Sequence, residues 1–96
     1  MSSDILFEWH PAKAEGNLKK HGVAFEDAVR VFADPSHISE VERIEGGEHR
    51  WQTIGTVDGI RLLLVVHTWR VEDNIEIIRI ISARKAERHE RRRYEN

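Results

Sequence analysis

The period of the apolar positions changes along the chain, and the changes mark its elements. Ile5–Trp9 is a short apolar run of strand length. Pro11 then suits the first turn of a helix, where its missing N–H has no partner to lose. That helix extends to about Lys20 and stops at His21-Gly22, with Ala14 and Leu18 as a thin apolar stripe. Phe25, Ala28, Val29 and Phe32 recur at i, i+3, i+4 and i+7, one face of a second helix that Asp34-Pro35 ends. Residues 36–47 accommodate a short strand around Ile38–Val41 and a turn at Gly46-Gly47.

From Glu48 onward the pattern is that of strands. Arg50–Val57 is one strand, Asp58-Gly59 a hairpin turn, and Ile60–Trp69 the next strand. Leu62–Val66 is apolar at every position, as in a central strand covered on both faces. Residues 70–74 read as a loop, Ile75–Ser82 as the last strand, and Ala83–Tyr94 as a charged helix capped by Ser82. The order β-α-α-β-β-β-α predicts an α+β domain spanning residues 1–96. Its antiparallel sheet carries two N-terminal helices on one face, and a C-terminal helix follows.

These loop lengths imply a register. With Asp58-Gly59 as the whole first loop, Val57 pairs with Ile60; with 70–74 as the second, Trp69 pairs with Ile75. One face then carries Trp51, Thr53, Val57, Leu62, Leu64, Val66, Ile78 and Ile80 and packs on the two helices. The other carries Glu48, Arg50, Gln52, Arg61, His67 and Arg79 among apolar neighbours, with Arg50 opposite His67 and Arg79 diagonal to it. A one-residue slip in either loop would exchange the faces of a strand.

Composition narrows the class. The 96 residues contain no cysteine, which removes disulfides, thiolate nucleophiles and zinc fingers. No apolar run approaches a membrane span, and the opening Met1-Ser-Ser-Asp4 is polar and acidic, unlike a signal peptide. A cytoplasmic protein is expected. The net charge of −2 speaks against a general nucleic-acid binder, but residues 79–94 hold seven basic side chains against two acidic. The six histidines show no metal-ligand spacing, so neither a metal nor another cofactor is expected.

A histidine between two arginines on a sheet face suits phosphoryl chemistry. Metal-free RNA cleavage needs a group that takes the 2′-OH proton, a group that protonates the leaving 5′-oxygen, and fixed positive charge for the phosphorane. Histidine titrates near neutrality, and arginine grips phosphate oxygens through a planar fork. Exposed strand faces also carry Arg and Gln for solubility alone, so this cluster does not decide between an enzyme and a binding module.

Longer stretches carry a resemblance. Phe7-Glu-Trp-His-Pro-Ala-Lys13, Asn17-Leu-Lys-Lys-His-Gly-Val23, Phe25-Glu-Asp-Ala28 and Val31-Phe-Ala-Asp-Pro35 resemble the opening of the BrnT family. Gly47-Glu-His-Arg50, Ile54-Gly55, Val65-Val66, Ile78-Arg-Ile-Ile-Ser-Ala-Arg-Lys-Ala86 and Glu90-Arg-Arg-Arg-Tyr94 resemble its second half. His10 departs from the pattern, which usually has Asp there. The resemblance implies a RelE-like fold and a metal-independent ribonuclease toxin of a type II toxin–antitoxin system that inhibits translation. It implies as partner a BrnA-type antitoxin with a ribbon-helix-helix domain, reaching operator DNA only through that antitoxin, with a toxin–antitoxin heterotetramer as one assembly. The alternative is a non-catalytic RNA- or protein-binding module within such a repressor complex. The expected catalytic residues are Arg79, His67, Arg50 and Glu48, and the expected RNA contacts Arg61, Arg84, Lys85 and Lys20.

Overall fold

In the computed structural model, which describes residues 4–96, five strands form one sheet in the order β1-β5-β4-β3-β2. The strands are β1 (Asp4–Glu8), β2 (Ile38–Glu45), β3 (Glu48–Val57), β4 (Arg61–Glu72) and β5 (Ile75–Lys85). The helices are α1 (Pro11–His21), α2 (Phe25–Val29), which continues as a 3-10 turn over Arg30–Ala33, and α3 (Arg88–Glu95). The α+β class is as expected, but the sheet is mixed: β1 lies at the edge, parallel to β5. The two helical segments between β1 and β2 carry the chain across to the opposite edge of the sheet. No helix among the described residues is long and apolar enough to cross a membrane.

Two helix boundaries follow from local capping. Gly22 closes α1 at φ 70°, and its N–H bonds the Leu18 carbonyl. The last helix begins later than expected. Ser82 does not cap it; residues 82–85 stay in β5 and pair with Val66–Leu63. The start is set instead by a capping box, in which Glu87 and Glu90 exchange side-chain-to-backbone bonds.

The hairpins fix the register differently from the expectation. Val57 pairs with Arg61, so the first loop is Asp58-Gly59-Ile60, with Ile60 82% exposed at its tip. The second loop is only Asp73-Asn74, both at positive φ, a conformation these side chains tolerate, and Glu72 pairs with Ile75. A bulge between Val66 and His67 on β4 leaves Ile81 as the extra residue of β5. The outcome for the faces is specific: β3 and β5 present the expected sides, and β4 is inverted.

Leu63, Val65 and His67 therefore point with Val57, Ile78 and Ile80 toward α1 and α2, where Val23, Phe25, Ala28 and Val31 complete the main core. Leu62, Leu64 and Ile54 face the other way and are covered by Ala86 and Tyr94. Both faces of β4 are thus buried at that end, as its continuous apolar run requires. Gly55 allows the 3-10 turn to approach β3: a Cβ there would stand 2.8 Å from Val31 Cγ1 and 3.0 Å from the Val31 carbonyl oxygen.

Candidate active site

On the face opposite α1 and α2, the end of the sheet away from α3 brings Arg50, Glu48 and Arg79 together. Arg79 pairs in register with Thr68. Its guanidinium donates to the Glu48 carboxylate at 3.1 Å, and Arg50 lies 3.7 Å from the same oxygen. Glu45 also stands 3.5 Å from Arg50 Nε, but no acceptor among the described residues satisfies that N–H, although the atom is buried. The Thr68 hydroxyl, on a residue 2% exposed, likewise has no partner among the described residues. Unpaired buried polar groups cost about 1–3 kcal/mol each, so they are rare in folded proteins.

A cavity of 230 Å³ adjoins this cluster, lined by His10, Lys13, Arg50, Arg79, Ile80 and Ile81. His10 and Lys13 come from the start of α1. The His10 ring accepts the Ala12 N–H at Nδ1, 3.2 Å away, which leaves Nε2 as the proton-bearing nitrogen of the neutral ring. Sequence reasoning passed over His10 as a site residue. Its signal was its place in the stretch Phe7–Lys13, but only the end of β1 against β5 shows that it reaches the arginines' cavity.

His67 is not part of this site. Inversion of β4 puts it behind the sheet, 0% exposed. There Nε2 bonds Thr53 Oγ1 at 2.7 Å, Nδ1 bonds the Thr68 carbonyl at 3.0 Å, and the ring meets the edge of Phe32 at 5.0 Å. Burial pushes its pKa below the usual value; the bond to the Thr68 carbonyl opposes this, and nearby His37 adds to it. A ring sealed in the core is out of reach of any group bound on the other face.

The expected RNA contacts divide. Arg84 is committed to a bidentate pair with Glu90, both bonds 2.8 Å long, that anchors α3. Burial opposes this pair, but the hydrogen bonds and charge prevail: they raise the Arg84 pKa and lower that of Glu90. Arg61 and Lys85 instead meet in a groove of 380 Å³ with His21 and Arg91, over a floor that includes Val23, Leu62 and Leu63. Lys20 is exposed near the end of α1. A further cavity of 400 Å³ beside Arg30 and Asp34 is larger, but its charges are already committed: Arg30 pairs with Asp58, and Asp34 accepts from Tyr94 and Thr56. Among the described residues no three potential metal ligands converge.

An α+β domain with arginines gathered beside a cavity on its open sheet face is the class of protein these observations define. The family model described as the ribonuclease toxin BrnT of type II toxin–antitoxin systems matches residues 9–90, and the chain belongs to that family. The chain is also similar in fold to the Brucella abortus ribonuclease toxin BrnT, solved at 1.1 Å resolution. The TM-score is 0.61 and the identity 23%, over 90% of this chain and 100% of that one. No curated protein matches. Membership in a type II system implies an antitoxin partner.

Proposed function

We propose that this chain cleaves RNA without a metal ion, with the scissile phosphate bound between Arg50 and Arg79. The observation that carries the proposal is the convergence of these two guanidiniums with Glu48 and the unpaired Thr68 hydroxyl beside the cavity of His10 and Lys13. Two fixed cations supply the charge stabilisation that an ion would otherwise provide. In the reaction the 2′-oxygen attacks phosphorus and its proton passes to the Glu48 carboxylate. The bond from phosphorus to the 5′-oxygen breaks, and that oxygen takes a proton from the Lys13 ammonium, which lines the same cavity and is left as the neutral amine. The products are a 2′,3′-cyclic phosphate and a 5′-hydroxyl.

Family membership supports the remaining elements of the proposal: a RelE-like fold relationship, inhibition of translation through RNA cleavage, and neutralisation by a BrnA-type antitoxin. That antitoxin would contribute the ribbon-helix-helix domain and the contact with operator DNA, in a heterotetramer. The purified chain, incubated with a defined RNA in excess EDTA, should yield fragments with cyclic phosphate ends. Loss of cleavage in EDTA with recovery on adding a divalent ion would refute the metal-free mechanism. RNA shifted on a gel but left intact would favour a binding module instead.

A further inference from the structure

The free edge of β5 is closed by a helix rather than a strand. β1 pairs with β5 only as far as Arg79, so among the described residues no strand flanks residues 80–85 on that side. Helix α1 takes the place of one. Its Asn17, buried, donates to the Ala83 carbonyl at 2.8 Å and accepts the Ala83 N–H at 3.1 Å, the two bonds a neighbouring strand would make. A third bond, to the Val23 carbonyl at 2.9 Å, ties in the chain beyond the helix.

This seam has a cationic group at each end. Lys13, Asn17 and His21 are spaced i, i+4 and i+8, one face of α1. Lys13 lines the cavity of Arg50 and Arg79, Asn17 holds the middle, and His21 lines the groove of Lys85, Arg61 and Arg91. From Arg79 to Lys85 along β5 is about 20 Å at the ~3.3 Å rise of a strand. At ~3.4 Å per phosphate of a stacked strand, that length holds about six phosphates, and fewer in an extended one.

We infer that single-stranded RNA runs along the α1–β5 seam, from the Arg50–Arg79 cleft to a second phosphate subsite made by Lys85, Arg91 and His21. The inference rests on the ribonuclease reading for the first cleft and adds where the rest of the substrate lies. Lys85 and Arg91 are exposed, and among the described residues neither has a carboxylate within ion-pair distance. Arg61 contributes less, because Asp27 already lies 3.3 Å from it. The floor of the groove offers no aromatic platform, so this subsite grips the backbone and is indifferent to base identity. RNA is favoured over an acidic protein segment because one helix face joins the groove to the cleft where a phosphate is expected.

The test uses 2′-O-methyl RNAs of three and ten nucleotides, which bind without being cut, read by fluorescence anisotropy over a salt series. The ten-mer should bind more tightly than the three-mer. In Lys85→Ala/Arg91→Ala that preference should shrink about tenfold or more, and the salt slope for the ten-mer should fall by about 1.4, at ~0.7 per lost contact. Lys19→Ala, an exposed lysine paired with Glu15, controls for net charge and should leave both unchanged. An unchanged length preference and slope in the double variant would overturn the inference, as would loss of affinity for an acidic peptide alone. If cleavable RNA is not cut while groove-dependent binding persists, the ribonuclease reading fails and the subsite stands.

Discussion

Arg79 on β5 reaches over β4 to Glu48 on β3, 3.1 Å away, and Arg50 approaches the same carboxylate. Glu48 therefore holds both guanidiniums in place and lowers their net charge until a phosphate competes for them. Glu48→Gln keeps the shape and removes the charge and the basicity. RNA should then bind at least as tightly, while single-turnover cleavage slows ~10²–10⁴-fold, the range for a lost proton-transfer group. Unchanged cleavage with unchanged affinity would exclude Glu48 from the chemistry.

His67→Ala should act on stability. It opens a void against Phe32 and leaves the Thr53 hydroxyl with Ser39 as its one remaining side-chain partner among the described residues, for a loss of roughly 3–5 kcal/mol, as for buried aromatic truncations. Stability should also depend on pH. The folded pKa is depressed, so below about 6.5 the unfolded chain binds a proton that the folded core does not. Wild-type stability is therefore fully present above that value and declines as the pH falls toward the folded pKa. Urea midpoints at pH 7.5, 6.5 and 5.5 measure this, and a midpoint rising toward pH 5.5 would contradict it.

Much of the fold could be read from the chain. The stop at Gly22 and the faces of β3 and β5 are as expected, but the stripe Phe25–Phe32 is α-helical only to Val29, and the 3-10 turn that follows buries Val31 in place of Val29. The inversion of β4 was hidden because Leu62–Val66 is apolar at every position, so alternation cannot tell its two faces apart. Register then rested on loop lengths, and the loop before β4 is one residue longer than assumed, the loop after it three residues shorter. Arg50, Glu48 and Arg79 kept their common face because their own strands alternate. His10 and Asn17 were not legible as site and seam residues, since their partners on β5 lie some 70 residues away in the chain.

Tyr94 fastens α3 to the turn before β2 by donating to Asp34 Oδ2 at 2.6 Å. Burial would raise the Asp34 pKa, but the bonds from Tyr94, Thr56 and Ser36 outweigh it and hold it at about 2. A depressed carboxylate pKa stabilises the fold above about 3.8 and loses that contribution as the pH falls toward 2. Tyr94→Phe should cost about 1.5–3 kcal/mol at neutral pH, as for a hydrogen bond to a charged group. It should also unfold with a shallower loss of stability across that acid window. Identical acid titrations of the two proteins would show that the hydroxyl contributes nothing.

Glu90→Ala leaves Arg84 facing a lost bidentate partner at the base of α3. The expected cost is roughly 2–4 kcal/mol, less than for a fully buried pair because part of Arg84 remains in water. Limited proteolysis should cut within residues 87–96 sooner than in wild type. Equal protection would mean that Tyr94 and the apolar contacts of Ala86 suffice to dock the helix.

Cleavage of a defined RNA by purified, folded Arg79→Ala tests the proposed chemistry most directly. The side chain is half exposed and outside both apolar clusters, so thermal unfolding should shift little. Removing a charge-stabilising donor of this kind should slow cleavage ~10²–10³-fold. Folded Arg79→Ala protein that cuts the RNA as fast as wild type would contradict the assignment of this cleft as the active site.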